Sequence, residues 1–95
     1  MTVRVLIERE VETGQEMKIQ QLMTQLRAKA MKIKGYISGE TLRALDNPHK
    51  FLVISNWTTV EDWKIWEKNP DRLKVQEEMN SLLLGKEKTS IYTHF

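Results

Sequence analysis

The chain has 95 residues, of which 40% are hydrophobic and 29% charged, and its formal net charge is +2. This balance is typical of one globular domain, and the absence of cysteine excludes disulfides, thiolate nucleophiles and cysteine-ligated metals. Acidic and basic residues are interspersed, no apolar stretch approaches the roughly 20 residues of a membrane span, and no signal peptide precedes the first strand pattern. We therefore expect a cytoplasmic protein with no nucleic-acid partner and no membrane partner.

The N-terminal third of the chain predicts a strand followed by a helix. Residues 2–11 are rich in β-branched residues that alternate with polar ones, as in a strand with one buried face. Residues 13–16 predict a capping box, with Thr13 as the cap of a helix that runs to about Ile33. Apolar residues recur in this helix at steps of three and four, which indicates one buried stripe.

Two strands joined by a turn are predicted next. Gly35 favours the end of the helix, and residues 36–45 predict the second strand, with a bulge at Gly39. Residues 46–49 have the composition of a turn. Residues 51–57 predict the third strand, whose apolar residues do not alternate, and this pattern indicates that both of its faces are covered.

The C-terminal part of the chain predicts a broken helix and a last strand. Thr58 is expected to cap a short helix, and Asn69 with Pro70 is expected to end it and to begin another. The apolar stripe of the helix that follows this break is predicted to be Leu73, Gln76, Met79 and Leu83. Residues 87–95 predict the fourth strand.

The order of these elements predicts the fold. Strand, helix, strand, strand, broken helix and strand indicate an α+β class with a ferredoxin-like split β-α-β antiparallel sheet, its helices on one face, in a single domain over residues 1–95. The helices leave the other face of the sheet bare. Because the third strand needs a cover there, we expect a second copy of the chain to supply it, which makes the protein a homodimer.

Four short segments carry a resemblance to a known family. They are Gly35-Tyr36-Ile37, the turn Asp46-Asn47-Pro48, the apolar strand from Phe51 to Trp57, and Val60-Glu61-Asp62-Trp63. In this pattern the chain resembles the antibiotic biosynthesis monooxygenase (ABM) family over nearly its whole length. The resemblance implies a dimeric α+β barrel with a pocket between sheet and helices in each subunit.

The family that the chain resembles is mixed in function. Some members oxygenate polyphenols or quinol-like compounds without metal or flavin, some bind and degrade haem, and many have no known activity. The haem-degrading members carry an Asn on the first strand, a Trp on the second helix and a His about ten residues later, where this chain has Ile7, Trp66 and Gln76. Isoleucine cannot form a hydrogen bond and an amide is a poor iron ligand. The chain has only two histidines, His49 and His94, which are far apart in the sequence, whereas a metal site usually needs three or four ligands. The sequence therefore predicts neither a cofactor nor a metal site.

Candidate residues of a substrate pocket come from the second helix and the strands. They are Trp66, Asn56, Gln76, Arg43 and Tyr36. Trp66 could wall a pocket for an aromatic ring, or it could pack in the core beside Trp63. The polar candidates could contact a ligand, or they could form cross-strand hydrogen bonds.

Two functions therefore remain open from the sequence. The first is a cofactor-independent monooxygenase for a small aromatic or quinol-like compound, which would be deprotonated and would itself reduce oxygen. The second is a non-catalytic small-molecule-binding or stress-response domain of the same fold that holds a small aromatic ligand without turnover. Haem binding or degradation ranks behind both, because only Trp66 of the three expected residues is present.

Overall fold

The computed structural model describes all 95 residues and consists of one four-stranded sheet with three helices on one of its faces. The elements are β1 (Val3–Glu10), α1 (Glu16–Ala30), β2 (Tyr36–Arg43), β3 (Lys50–Trp57), α2 (Val60–Glu67), α3 (Pro70–Asn80) and β4 (Lys88–Thr93). The strand order is β2-β3-β1-β4, and every pair of neighbours is antiparallel. This is the predicted α+β, ferredoxin-like arrangement. None of the helices combines the length and the apolar character that crossing a membrane requires.

The core lies between the sheet and the helices, and Trp57 at the end of β3 is one of its largest side chains. Trp57 is fully buried and forms edge-to-face contacts with Tyr36 and Trp63, at ring-centroid distances of 5.4 and 5.8 Å. Its indole N–H donates a hydrogen bond of 3.0 Å to the hydroxyl of Ser55. The odd-numbered residues of β1 and β3 face this core because strand side chains alternate.

Two predicted helix caps are wrong. Helix α1 begins at Glu16, and neither Thr13 nor the N-cap residue Gln15 caps it through its side chain. The Glu16 carboxylate instead lies 2.6 Å from the ring of His49 in the β2–β3 turn. The pKa of Glu16 is lowered, mainly by a hydrogen bond from its own backbone N–H and further by His49. Helix α2 is capped by Thr59, not by Thr58 as the sequence suggested.

The break between α2 and α3 follows the prediction, but the stripe of α3 differs from it. The side chain of Asn69 accepts a hydrogen bond from the backbone N–H of Asp71, and Pro70 occupies the first turn. Leu73, predicted to be buried, is 50% exposed. The buried face of α3 instead consists of Arg72, Val75, Gln76 and Met79.

The bulge in β2 lies at Ile37, not at the predicted Gly39. Tyr36 pairs with Trp57 and Ser38 with Asn56, so Ile37 is the extra residue. Gly39 has a different role, because a Cβ atom added there would lie 2.6 Å from the phenolic oxygen of Tyr36. The missing side chain at position 39 therefore makes room for the tyrosine on the helix side of β2.

The face of the sheet opposite the helices carries an apolar patch that nothing covers within the chain. Leu6, Leu52 and Ile54 are half-buried there by their neighbours, and Leu42 and Tyr92 are 45% and 57% exposed. The alternation of the strands places these even-numbered side chains together.

Candidate functional site

A cavity lies between the sheet and the helices and is lined by residues of β1, β2, β3 and all three helices. Its volume is about 60 Å³, which is enough for a few water molecules. Most of its lining residues are hydrophobic, and the aromatic ones are Tyr36, Trp57, Trp63 and Trp66. The cavity is therefore a narrow space with flat aromatic walls.

Three of the four aromatic walls form a continuous chain of contacts that ends at an arginine. The ring of Trp57 contacts the rings of Tyr36 and Trp63 edge to face. The guanidinium carbon of Arg72 lies 5.3 Å from the centroid of the Trp63 ring, a cation–π arrangement. A phenolic hydroxyl and a guanidinium therefore stand at opposite ends of this aromatic chain.

Arg9 is a buried cation on β1 that lines the cavity. It occupies an odd-numbered position of the strand, so it faces the helices, and it is only 3% exposed. Its Nε donates to the carboxylate of Glu87 at 2.7 Å, and one terminal nitrogen donates to the side-chain oxygen of Gln76 at 3.3 Å. Burial lowers the pKa of Arg9, and the Glu87 carboxylate partly offsets that effect. Glu87 is thus the counterion of Arg9.

Arg72 is a second buried cation that lines the cavity, and it has no carboxylate within ion-pair distance. It is 5% exposed, and its guanidinium donates a hydrogen bond of 3.3 Å to the backbone carbonyl of Glu67. Burial lowers the pKa of Arg72, and repulsion from Arg9 lowers it further, whereas Glu87 and Glu67 act in the opposite direction. Glu67 directs its carboxylate to Lys64, at 3.8 Å.

One buried polar atom of a residue that lines the cavity lacks any hydrogen-bond partner. It is the indole nitrogen of Trp63, in a residue that is 1% exposed. Buried donors are paired in the great majority of cases, so an orphaned one calls for an explanation. The residues that line the cavity thus include two buried arginines and one tryptophan whose N–H is unpaired.

The structure brings three of the five sequence-predicted site residues to the cavity region. Trp66 and Tyr36 line the cavity. Gln76 lies beside it and holds two neighbours of the site together, because its amide oxygen accepts from Arg9 and its amide nitrogen donates to Glu87 at 3.0 Å. Gln76 therefore acts through Arg9 rather than as a wall of the cavity.

The other two predicted site residues lie elsewhere. Asn56 is on the opposite face of the sheet, where it accepts from Arg4 at 3.1 Å and donates to Ser38 at 3.0 Å. Arg43 is exposed at the end of β2 and stacks over the ring of Phe51, with 5.3 Å between the guanidinium carbon and the ring centroid. Asn56 and Arg43 thus form cross-strand contacts, the alternative that the sequence left open to contacts with a ligand.

Sequence reasoning missed the two buried arginines, although signals for both exist. Arg9 follows the odd-numbered apolar positions of β1, so alternation places it on the core face. Arg72 precedes Val75, Gln76 and Met79 by three, four and seven residues, which is the spacing of one helix face. Nothing in the sequence pattern pairs Arg9 with Glu87, 78 residues later.

The two histidines do not take part in the cavity. His49 contacts Glu16 in the β2–β3 turn, and His94 follows β4 near the end of the chain. No three residues among His, Asp and Glu come together as a group that could hold a metal ion. No histidine lines the cavity. The one acidic residue in its lining is Glu40, whose position on β2 belongs to the opposite face of the sheet.

Comparison with protein families gives one match. The family model described as antibiotic biosynthesis monooxygenase matches residues 2–78. No curated protein matches the sequence.

Solved structures match the fold over nearly the whole chain. A Nitrosomonas europaea protein described as a candidate antibiotic biosynthesis monooxygenase has a TM-score of 0.92 at 14% identity, over 98% of this chain and 89% of that one. SnoaB, a cofactor-independent oxygenase from Streptomyces nogalater, has a TM-score of 0.89 at 16% identity, over 99% and 93% of the two chains. A conserved protein from Methanosarcina mazei has a TM-score of 0.91 at 16% identity, over 97% and 91%. At these identities the likeness concerns the fold.

Proposed function

Since the chain belongs to the antibiotic biosynthesis monooxygenase family, we propose that it is a cofactor-independent monooxygenase that acts on a small aromatic or quinol-like compound. The observation that carries the proposal is the narrow cavity walled by Trp57, Trp63, Trp66 and Tyr36. Such walls suit the faces of a flat ring, and they would keep water from it once they had moved apart to admit it. SnoaB, which shares the fold, is a cofactor-independent oxygenase.

The proposed reaction converts a phenol with a free ring position into a quinone. The deprotonated phenol gives electrons to O2, and a carbon–oxygen bond forms at the ring carbon to give a hydroperoxide. The O–O bond then breaks, one oxygen atom stays on the ring as a carbonyl and the other leaves as water. The phenol loses four electrons and O2 gains four, so no further reductant is required.

The residues of the cavity would contribute orientation and electrostatics rather than a reactive group. Trp63 and Trp66 would hold the plane of the ring, which fixes the carbon that O2 attacks. The hydroxyl of Tyr36 would donate a hydrogen bond to the ring oxygen, which favours the ionised phenol.

A binding domain without turnover is the second candidate. The observation in its favour is the lack of a general base, since no histidine lines the cavity and the carboxylate of Glu87 already serves Arg9. The two candidates differ in whether bound phenol consumes oxygen.

Oxygen uptake with 1-naphthol, and with dihydroxynaphthalenes that keep a free position para to a hydroxyl group, tests the proposed activity. We expect one O2 consumed per quinone formed, and one labelled oxygen atom per quinone when 18O2 is used. Trp66→Ala should lower kcat/KM by about 100-fold, because a ring free to shift by about 1 Å loses the reactive geometry. Ile65→Ala on the same helix, at a side chain 66% exposed, should leave it unchanged.

Two results would argue against this activity. If no compound of the panel consumes oxygen above the rate without protein, the binding domain is the better description. If Trp66→Ala retains full kcat/KM while it stays folded, Trp66 does not orient the substrate.

The bare face of the sheet supports a homodimer, which is common in this fold family. Leu52 and Ile54 present apolar surface there that only another molecule can cover. Sedimentation at micromolar concentration should give twice the chain mass. Ile54→Glu should shift the protein to the monomer, whereas Ile65→Glu on the exposed side of α2 should not. A wild-type monomer with a cooperative melt would contradict the proposal.

A further inference from the structure

The wall of the cavity contains more buried positive charges than there are carboxylates paired with them. Arg9 and Arg72 are both nearly inaccessible to solvent, and the carboxylate of Glu87, which attracts both, is hydrogen-bonded to Arg9 and Gln76 and not to Arg72. A guanidinium group stays protonated in proteins, so one buried positive charge beside the cavity has no partner of its own. Unpaired buried charge is costly, and its persistence calls for a partner that arrives from outside.

The other charged groups around the cavity do not supply that partner. Arg27 of α1 also lines the cavity and adds positive charge at its exposed side. Glu40 is exposed, and its strand position belongs to the opposite face of the sheet. The carboxylate of Glu67 lies toward Lys64. Arg72 forms its hydrogen bond with the backbone carbonyl of Glu67 and not with the carboxylate.

The hydrogen-bond donors of the site are also in excess. The guanidinium of Arg72 has five N–H groups and makes one hydrogen bond, and the indole N–H of Trp63 makes none. Both side chains line the cavity, and the guanidinium stacks on that indole ring. An acceptor placed between these two adjacent side chains would therefore meet donors from both, and an anionic acceptor would gain the most.

We propose that the cavity takes an aromatic carboxylate, whose carboxylate group pairs with Arg72 and accepts a hydrogen bond from the indole N–H of Trp63. The inference rests on the proposed function only in that a flat aromatic ring occupies this cavity. A carboxylate is the group that fits, because it is ionised at neutral pH, with a pKa near 4, whereas a phenol with a pKa near 10 is neutral. Its two oxygens also match the fork of a guanidinium.

The aromatic part of the ligand would extend from this carboxylate along Trp63 and Trp57 toward the hydroxyl of Tyr36. A hydroxyl group on the far side of the ring would then lie at Tyr36, where the proposed oxygenation needs it. The site thus selects hydroxylated aromatic acids over neutral phenols.

Calorimetric titration at pH 7 with 2-naphthoate, 2-naphthamide and 2-naphthol tests this inference without any need for turnover. The first two probes have nearly the same shape and differ in charge. We expect 2-naphthoate to bind about 10- to 100-fold more tightly than 2-naphthamide, the usual effect of a hydrogen-bonded charge. Arg72→Met should abolish this preference. Lys74→Met, which removes one positive charge from an exposed site on the same helix, should retain it.

The outcomes separate this inference from the proposed function. Equal affinity of the wild type for all three probes overturns the carboxylate assignment and leaves an aromatic site. Absence of binding by all three overturns both. Tight binding of 2-naphthoate together with no oxygen uptake by any hydroxylated analogue supports the carboxylate site and removes the oxygenase activity. Because the wild-type series is decisive alone, a failure of Arg72→Met to fold does not weaken the test.

Discussion

Replacing Trp57 by alanine is expected to lower the free energy of unfolding by about 3–5 kcal/mol, the usual cost of truncating a large buried aromatic side chain. Trp57 is fully buried and holds Tyr36 and Trp63 through its ring, so the change also removes both edge-to-face contacts. For a domain of this size the Tm should fall by at least about 12 °C.

A thermal melt followed by circular dichroism measures this change, at two protein concentrations because dimer formation would make the Tm concentration-dependent. Leu73→Ala is the matched control. It also truncates a large apolar side chain, but one that is 50% exposed, and it should cost less than about 0.5 kcal/mol. A Trp57→Ala variant that melts within a few degrees of the wild type would show that Trp57 is not the centre of the core.

Glu87→Gln is expected to destabilise the fold by about 3–5 kcal/mol, because it leaves the buried guanidinium of Arg9 without its counterion. The two groups are 2.7 Å apart, and the side chain of Arg9 is 2% exposed. Arg9→Met should cost less than Glu87→Gln. The carboxylate that remains after that change is 20% exposed and can be hydrated.

Urea denaturation of the single variants and of the double variant Arg9→Met/Glu87→Gln measures this asymmetry. The double variant should be more stable than Glu87→Gln alone, since no charge is left buried without a partner. Glu78→Gln is the control, because it breaks an exposed pair with Lys18 and should cost at most about 1 kcal/mol. A Glu87→Gln variant as stable as Glu78→Gln would mean that water solvates Arg9 in the folded protein.

The sequence was sufficient for the fold because the fold depends on local periodicity. Alternation along β1, the stripe of α1 and the break at Asn69 and Pro70 are all patterns of near neighbours, and the structure confirms each of them. The cap of α2 shows where local reasoning ends. Thr58 and Thr59 are equally good caps by residue type, and the choice depends on a distant contact, the hydrogen bonds of Thr58 to the backbone of Gly35.

The site was harder to predict because its parts come from distant points of the chain. Trp66 and Tyr36 were accessible as aromatic residues on predicted elements, and both line the cavity. Arg72 was harder to identify, because the sequence pattern predicts a buried stripe that includes Leu73, whereas the buried face of α3 includes Arg72 instead. The partnership of Arg9 with Glu87 depends on the way β1 meets the segment before β4, which no local pattern encodes.

The bulge at Ile37 makes the cavity sensitive to residue count rather than to residue type. In a regular strand Tyr36 and Gly39, three positions apart, would face opposite sides, and the extra residue brings both to the helix side. The side chain of Ile37 is itself 52% exposed. Because it packs little against the core, other side chains should be accepted at this position. Among homologues, an insertion or deletion between Gly35 and Gly39 would therefore change the phenol at the cavity, whereas a substitution at position 37 would preserve it.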